Sequence, residues 1–199
     1  MSAQRTEELQ MLADQLGMNF ARKEEWGLIA LLKDFKLFRI GGSQKITNLM
    51  SKKDEWLESE SHIFDYKYTV STGKSSVTYS QTVFFVNSKK LGLPHFWMKP
   101  ETFFHKIGHF LGIKDINFEA FPQFSDQYYL KGNDEDYIRA TMNERVLHFF
   151  TIEKNWNLEG INYFMIFYCH NTLIPPHLIK EFYKKGMKIC DMLMTDPLV

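Results

Sequence analysis

Three side chains with metal-ligand chemistry recur every fourth residue in "PETFFHKIGHFLG": Glu101, His105 and His109. On a helix this spacing sets them in one stripe, opposite Phe103, Phe104, Ile107 and Phe110. Neutral imidazoles one turn apart can share a tetrahedral ion, the arrangement a metal-assisted hydrolase uses. All three side chains of one straight helix cannot reach a single ion, however. Lys106 also follows His105 where a zincin would carry glutamate. Further help would have to come from elsewhere in the fold, with His95 or Asp65 as the candidates. A solvated helix face explains the stripe more simply.

Asp65 is the candidate catalytic carboxylate. It lies between Phe64 and Tyr66 in a strongly alternating segment, where burial would raise its pKa and fit it for acid or base work. Pairing across a sheet with a lysine, serine or threonine accounts for it equally. "RIGGSQK" holds the glycines, serine and lysine of an anion-binding nest but not the GxxxxGK[ST] of a P-loop, so a turn between strands is the better reading. Tyr66, Tyr68, Tyr79, Tyr128, Tyr129 and Tyr163 can be read as a stacking platform for a base or sugar, or as ordinary amphipathic sheet residues. No GxSxG or cluster of paired acids is present, and no cofactor is implied.

Composition narrows the classes. With 44% hydrophobic and 16% aromatic residues in 199, the chain can bury a sizeable core. Lysine and arginine total 24 and so do aspartate and glutamate, which leaves no overall field for nucleic acid. Cys169 and Cys190 lack CxxC spacing and fit reduced thiols. No apolar run approaches the roughly 18 to 20 residues of a membrane span. The polar start "MSAQRTEELQ" is no secretory signal, so a cytoplasmic location is expected, with any membrane association made through a partner.

The elements that must position these residues are legible from periodicity. Leu9, Leu12, Ala13 and Leu16 share a helix face that Gly17 would cap. "MNFA" reads as a strand and "EEWGLIALLKDF" as a second helix. "FKLFRI" and "KITNLM" read as strands turned by "GGSQ". Residues 62–87 form a long central hairpin around "STGKSS": Phe64, Tyr66, Tyr68 and Val70 share one face, and the end near Val86 is apolar on both faces and needs a covering helix. Phe96 and Met98 lie in a short strand, "QYYLKG" is another, and Asn133 and Asn143 are placed to cap two helices. A hairpin should cross Gly160 and Ile161. A last helix from "PPHL" should bury Leu178, Ile179, Phe182, Ile189 and Leu193. The expected fold is α+β, an antiparallel sheet packed by several amphipathic helices. It forms one domain over 1–199, with a faint echo between lobes at about 1–99 and 100–199.

"FDYKYTVSTGKSSVTYSQTV", "FFHKIG", "DINFEAFPQFSDQYYLKGNDE" and "VLHFF", in this order, resemble a group of uncharacterised bacterial proteins best represented in cyanobacteria. The likeness runs from about Arg5 to the last helix. Longer members of the group carry membrane-spanning segments ahead of this domain, which the resemblance does not transfer to this chain. It implies a fold and no mechanism.

The leading functional expectation is therefore a soluble, non-enzymatic domain that binds a protein or a small ligand. A metal-assisted hydrolase at His105 and His109 is the alternative. A peripheral membrane module is the third, resting on Lys180, Lys184, Lys185 and Lys188 beside the apolar stripe of the last helix.

Overall fold

A computed structural model describes residues 2–24, 27–55, 58–101 and 115–194. Strands β1 (Asn19–Lys23), β2 (Gly42–Asp54), β3 (Ser59–Ser71), β4 (Ser76–Ser88), β5 (Leu93–Pro100), β6 (Tyr128–Gly132), β7 (Asn157–Asn162) and β8 (Phe164–Tyr168) form one sheet in the order β1-β2-β3-β4-β8-β7-β5-β6, every pair antiparallel. Helices α1 (Ala3–Leu16), α3 (Pro122–Ser125), α4 (Glu135–Thr141), α5 (Glu144–Ile152) and α6 (Ile179–Leu193) contribute to the core on one face, while α2 (Leu28–Leu31) and two 3₁₀ turns serve the other. This is the expected α+β class. No helix among the described residues is long and apolar enough to cross a membrane.

The β3–β4 hairpin divides the core in two. Alternation turns Ile63, Phe84 and Val86 toward the helical side, and Phe64, Tyr66, Tyr68, Val83 and Phe85 toward the other. On that second side the cover comes from Leu28, Leu32, Phe35, Leu37 and Phe38. Among the described residues the two faces are thus covered by very different amounts of chain, the second face by the thinner layer.

Residues 28–39 depart from expectation. Helix α2 has four residues, and the chain continues as 3₁₀ turns at Leu32–Asp34 and Lys36–Arg39 where a strand was expected from "FKLFRI". A strand would send Leu37 and Phe38 to opposite faces. The 3₁₀ turn lets both bury against the same sheet. Nor is "GGSQ" a simple turn, because β2 already starts at Gly42, with a register shift between Gly42 and Lys45. A second shift, between Thr47 and Met50, contains Asn48 at φ 51°, a left-handed conformation that asparagine tolerates. That bulge aims the Asn48 amide at Asp65.

Other corrections are local. Asp134, not Asn133, caps α4: it immediately precedes the first helical residue, Glu135, and its side chain accepts the Tyr137 amide. Asn143 caps α5 as expected. The β7–β8 turn lies at Asn162 and Tyr163, two residues later than expected, and Gly160 is kept inside β7. A Cβ there would sit 2.4 Å from the Phe96 ring.

Helix α6 docks on the sheet through Ile179, Phe182, Ile189 and Leu193. Leu178 instead falls in the preceding 3₁₀ turn and is 42% exposed. Gly186 weakens the helix by its backbone freedom but permits contact with Phe84, whose ring atoms would lie 2.5 to 2.7 Å from an added Cβ. Gly186→Ala should therefore lose about 1 to 3 kcal/mol through overpacking, despite alanine's better helix propensity. Urea denaturation would measure it, and a stabilised variant would show that the helix can back away at no cost.

Candidate functional site

On the thinly covered face, a cavity of about 960 Å³ lies between the Lys36–Arg39 turn and five neighbouring strands. Tyr68 and Val70 of β3 and Tyr79 of β4 wall one end, with Ile40 beside them. Tyr168 of β8 and Asn157 and Glu159 of β7 line the middle. His95, Trp97 and Lys99, alternate residues of β5, line the far end with Lys36. His170 and Asn171, just past β8, complete the wall.

Aromatic contacts fix the surfaces. Tyr68 stacks on Tyr79 at 5.3 Å between ring centroids, and Tyr79 meets His170 at 5.4 Å. At the other end two ammonium groups share one indole: Lys36 Nζ lies 4.4 Å and Lys99 Nζ 4.8 Å from the Trp97 centroid. The cavity is consequently polarised, aromatic and aliphatic toward β3 and β4, cationic toward β5.

Glu159 holds the roof in place. The Lys36 amide donates to its Oε2 at 2.6 Å and the Leu37 amide to its Oε1 at 3.2 Å, so the carboxyl group takes the first amides of the 3₁₀ turn. Tyr168 donates its hydroxyl to Oε1 at 3.2 Å. Burial pushes Glu159 up to about 7, against the pull of these donors and of Lys36. Tyr168 is raised well above its usual range by burial and by Glu159. Burial lowers Lys36 and Lys99; Lys131 and Arg39 add to the first, and Lys36 itself adds to the second. His95 and His170 are lowered too, chiefly by burial, then by cations nearby. Next to the cavity, Tyr66 and Gln81 oppose each other across β3 and β4, and the Tyr66 hydroxyl and the Gln81 Nε2 have no hydrogen-bond partner among the described residues.

No family model and no curated protein matches the chain. Among solved structures it is similar to the crystal structure of the mycobacterial trehalose monomycolate transport factor A, TtfA, with a TM-score of 0.64 over 100% of this chain and 99% of that one. The two are 14% identical in sequence, so the likeness is one of fold.

The residues singled out from sequence are scattered. Asp65 is fully buried on the helical side, away from the cavity. Arg5 grips it from α1 with Nε and Nη2, each at 2.8 Å, while Asn48 and its cross-strand neighbour Thr82 each donate at 2.9 Å. Threonine is indeed the cross-strand partner, but the arginine was not foreseen. His105 and His109 lie outside the described residues. Glu101 follows β5 and bonds Gln127 through its backbone amide. Among the described residues no three of His, Cys, Asp and Glu are grouped to hold a metal. His95 does line the cavity, as do Arg39 and Ile40 of "RIGGSQK".

Of the tyrosines, Tyr68 and Tyr79 face the cavity, whereas Tyr66 is buried beneath Phe38, Tyr128 belongs to the other core and Tyr163 is exposed. Lys36, Trp97, Lys99, Glu159, Tyr168 and His170 were not picked out. Alternation in "LPHFWMKP" carried a usable signal, since it sets His95, Trp97 and Lys99 opposite the buried Phe96 and Met98. Nothing local marked Glu159 as the partner of residues more than a hundred positions away.

Proposed function

We propose that this chain is a non-enzymatic binding domain that takes up a small ligand in the cavity over β3, β4, β8, β7 and β5. The observation that carries this is the cavity itself. Its volume of about 960 Å³ is at the upper end of the range for small-molecule sites, and its walls combine aromatic surface with a few convergent polar groups. Glu159, the acidic group of the cavity that titrates near neutrality, commits its oxygens to Lys36, Leu37 and Tyr168, which suits a clasp better than proton transfer to a substrate. The shared fold with a trehalose monomycolate transport factor supports a binding or transport role. Membership of the uncharacterised, mostly cyanobacterial group remains part of the proposal and adds no activity. As for the membrane-module alternative, the apolar stripe of α6 is already used inside the core.

N-phenylnaphthylamine, a neutral dye that brightens in apolar surroundings, tests the reading. A saturable one-to-one increase in fluorescence is expected. Val70→Trp, which fills the aliphatic end of the cavity, should weaken it at least tenfold without lowering the melting temperature. Absence of saturable binding, or equal binding by the filled variant, would remove the basis for this function.

A further inference from the structure

Resting on that reading of the cavity, we infer that its ligand is a single-chain amphiphile with an anionic head, the head meeting Lys36 and Lys99 over β5 and the chain lying along Tyr68, Val70 and Tyr79. The first support is the separation of character along the cavity. Five adjacent strands at about 4.8 Å spacing make a surface roughly 19 Å across, long enough for a chain and a head to occupy different ends. Tyr68, Val70, Tyr79 and Ile40 supply carbon at one end. Cations gather at the other.

The second support is the state of those cations. Lys36 and Lys99 sit over the same Trp97 ring and repel each other, and both are held below the usual lysine pKa, first by burial. Among the described residues no carboxylate forms an ion pair with the Lys36 ammonium. Glu159 acts on Lys36 electrostatically, but its oxygens are engaged by the two amides and the Tyr168 hydroxyl. Arg39, which also lines the cavity, commits its guanidinium to Asp34 and the Lys33 carbonyl. A carboxylate or phosphate placed between Lys36 and Lys99 would accept charge-assisted hydrogen bonds and relieve their repulsion.

Other ligands fit less well. A cationic head would meet two ammonium groups. A sugar or nucleobase seeking the Trp97 face would compete with ammonium groups already positioned on it. The aromatic end offers Tyr68 and Tyr79 already stacked on each other, a wall suited to an alkyl chain.

Calorimetric titration of the full chain with decanoate, decyl phosphate, decanol, decylammonium, inorganic phosphate and AMP, all below micelle formation, tests the inference. Decanoate or decyl phosphate should bind at least tenfold more tightly than decanol, and whichever acid leads identifies the head. A Lys36→Met, Lys99→Met variant should bring the acids down to the affinity of decanol while its melting curve stays cooperative. Equal affinity for decanol and both acids would overturn the anionic head yet leave the binding cavity standing. Phosphate or AMP binding as tightly as decyl phosphate would overturn the role of the chain. Failure of every ligand, with N-phenylnaphthylamine also failing, would overturn this inference and the cavity reading together.

Discussion

Arg5→Ala is expected to cost the fold about 3 to 5 kcal/mol, because it leaves the fully buried Asp65 charge without its cation. The guanidinium binds both Asp65 oxygens, reaches Thr82 Oγ1 at 3.1 Å and donates Nη1 to the Ile174 carbonyl at 2.8 Å. Asn48 and Thr82 would remain as donors, but two neutral hydrogen bonds do not replace a bidentate cation in a site closed to water. Adding Asp65→Asn to the alanine variant should recover much of the loss, since the stranded charge is then gone. Urea denaturation of the four members of this cycle measures both effects. A loss below about 1 kcal/mol for Arg5→Ala would mean that the pair is solvated like a surface bridge.

The second large effect concerns Glu159. Its folded pKa of about 7 exceeds the ordinary 4.5, so between these values the native state holds a proton that the unfolded chain has released. The contribution of Glu159 to stability must then fall as pH rises through that window, by a total on the order of 3 kcal/mol. Asp115, raised to about 6 mainly by burial, acts in the same direction but finishes earlier, so the slope above pH 6 belongs mainly to Glu159. Glu159→Gln should flatten that part of the profile. Glu159→Ala should instead lose about 3 kcal/mol or more even at pH 5, because the Lys36 and Leu37 amides and the Tyr168 hydroxyl all lose their acceptor. Chemical denaturation from pH 5 to 8 provides the readout. His62, His95 and His170, lowered chiefly by burial, push stability the other way as pH rises toward their ordinary 6.5, so the sign is read from the difference between the wild-type and Glu159→Gln curves. A difference that grows in favour of the wild type with pH would contradict the sign, and no difference would contradict the assignment.

How much of this was legible depended on the range of the interactions. Alternation over residues 62–87 is a local property, and it located the hairpin, which the structure extends to Ser59 and Ser88, together with its faces and the need for a helix near Val86. The spacing of Ile179, Phe182, Ile189 and Leu193 likewise located the docking face of α6. Residues 36–39 misled because propensity gave a strand, whereas a tertiary contact with Glu159 and the joint burial of Leu37 and Phe38 favour a 3₁₀ turn. The cavity was less legible still. Its walls come from strands adjacent only through the order β4-β8-β7-β5, which no single segment announces. Tyr68 and Tyr79 were visible as candidates, but their association with Trp97 and Tyr168 in one wall exists only in the assembled sheet.

The bond from Arg5 to Ile174 joins positions 169 residues apart, and the same arginine spans 60 residues to Asp65. During synthesis at roughly 5 to 20 residues per second, the ribosome would complete the Asp65 strand roughly 5 to 20 seconds before Ile174 is made. The hairpin can pair in that interval, and Arg5 is already present to meet Asp65. The Ile174 carbonyl and the helix beyond it are not, so the helical face around this ion pair stays incompletely covered. The nascent protein therefore passes through a stage in which its central strands are formed but one core is open, and its exposure to aggregation or chaperone capture is set by the time needed to translate the second half.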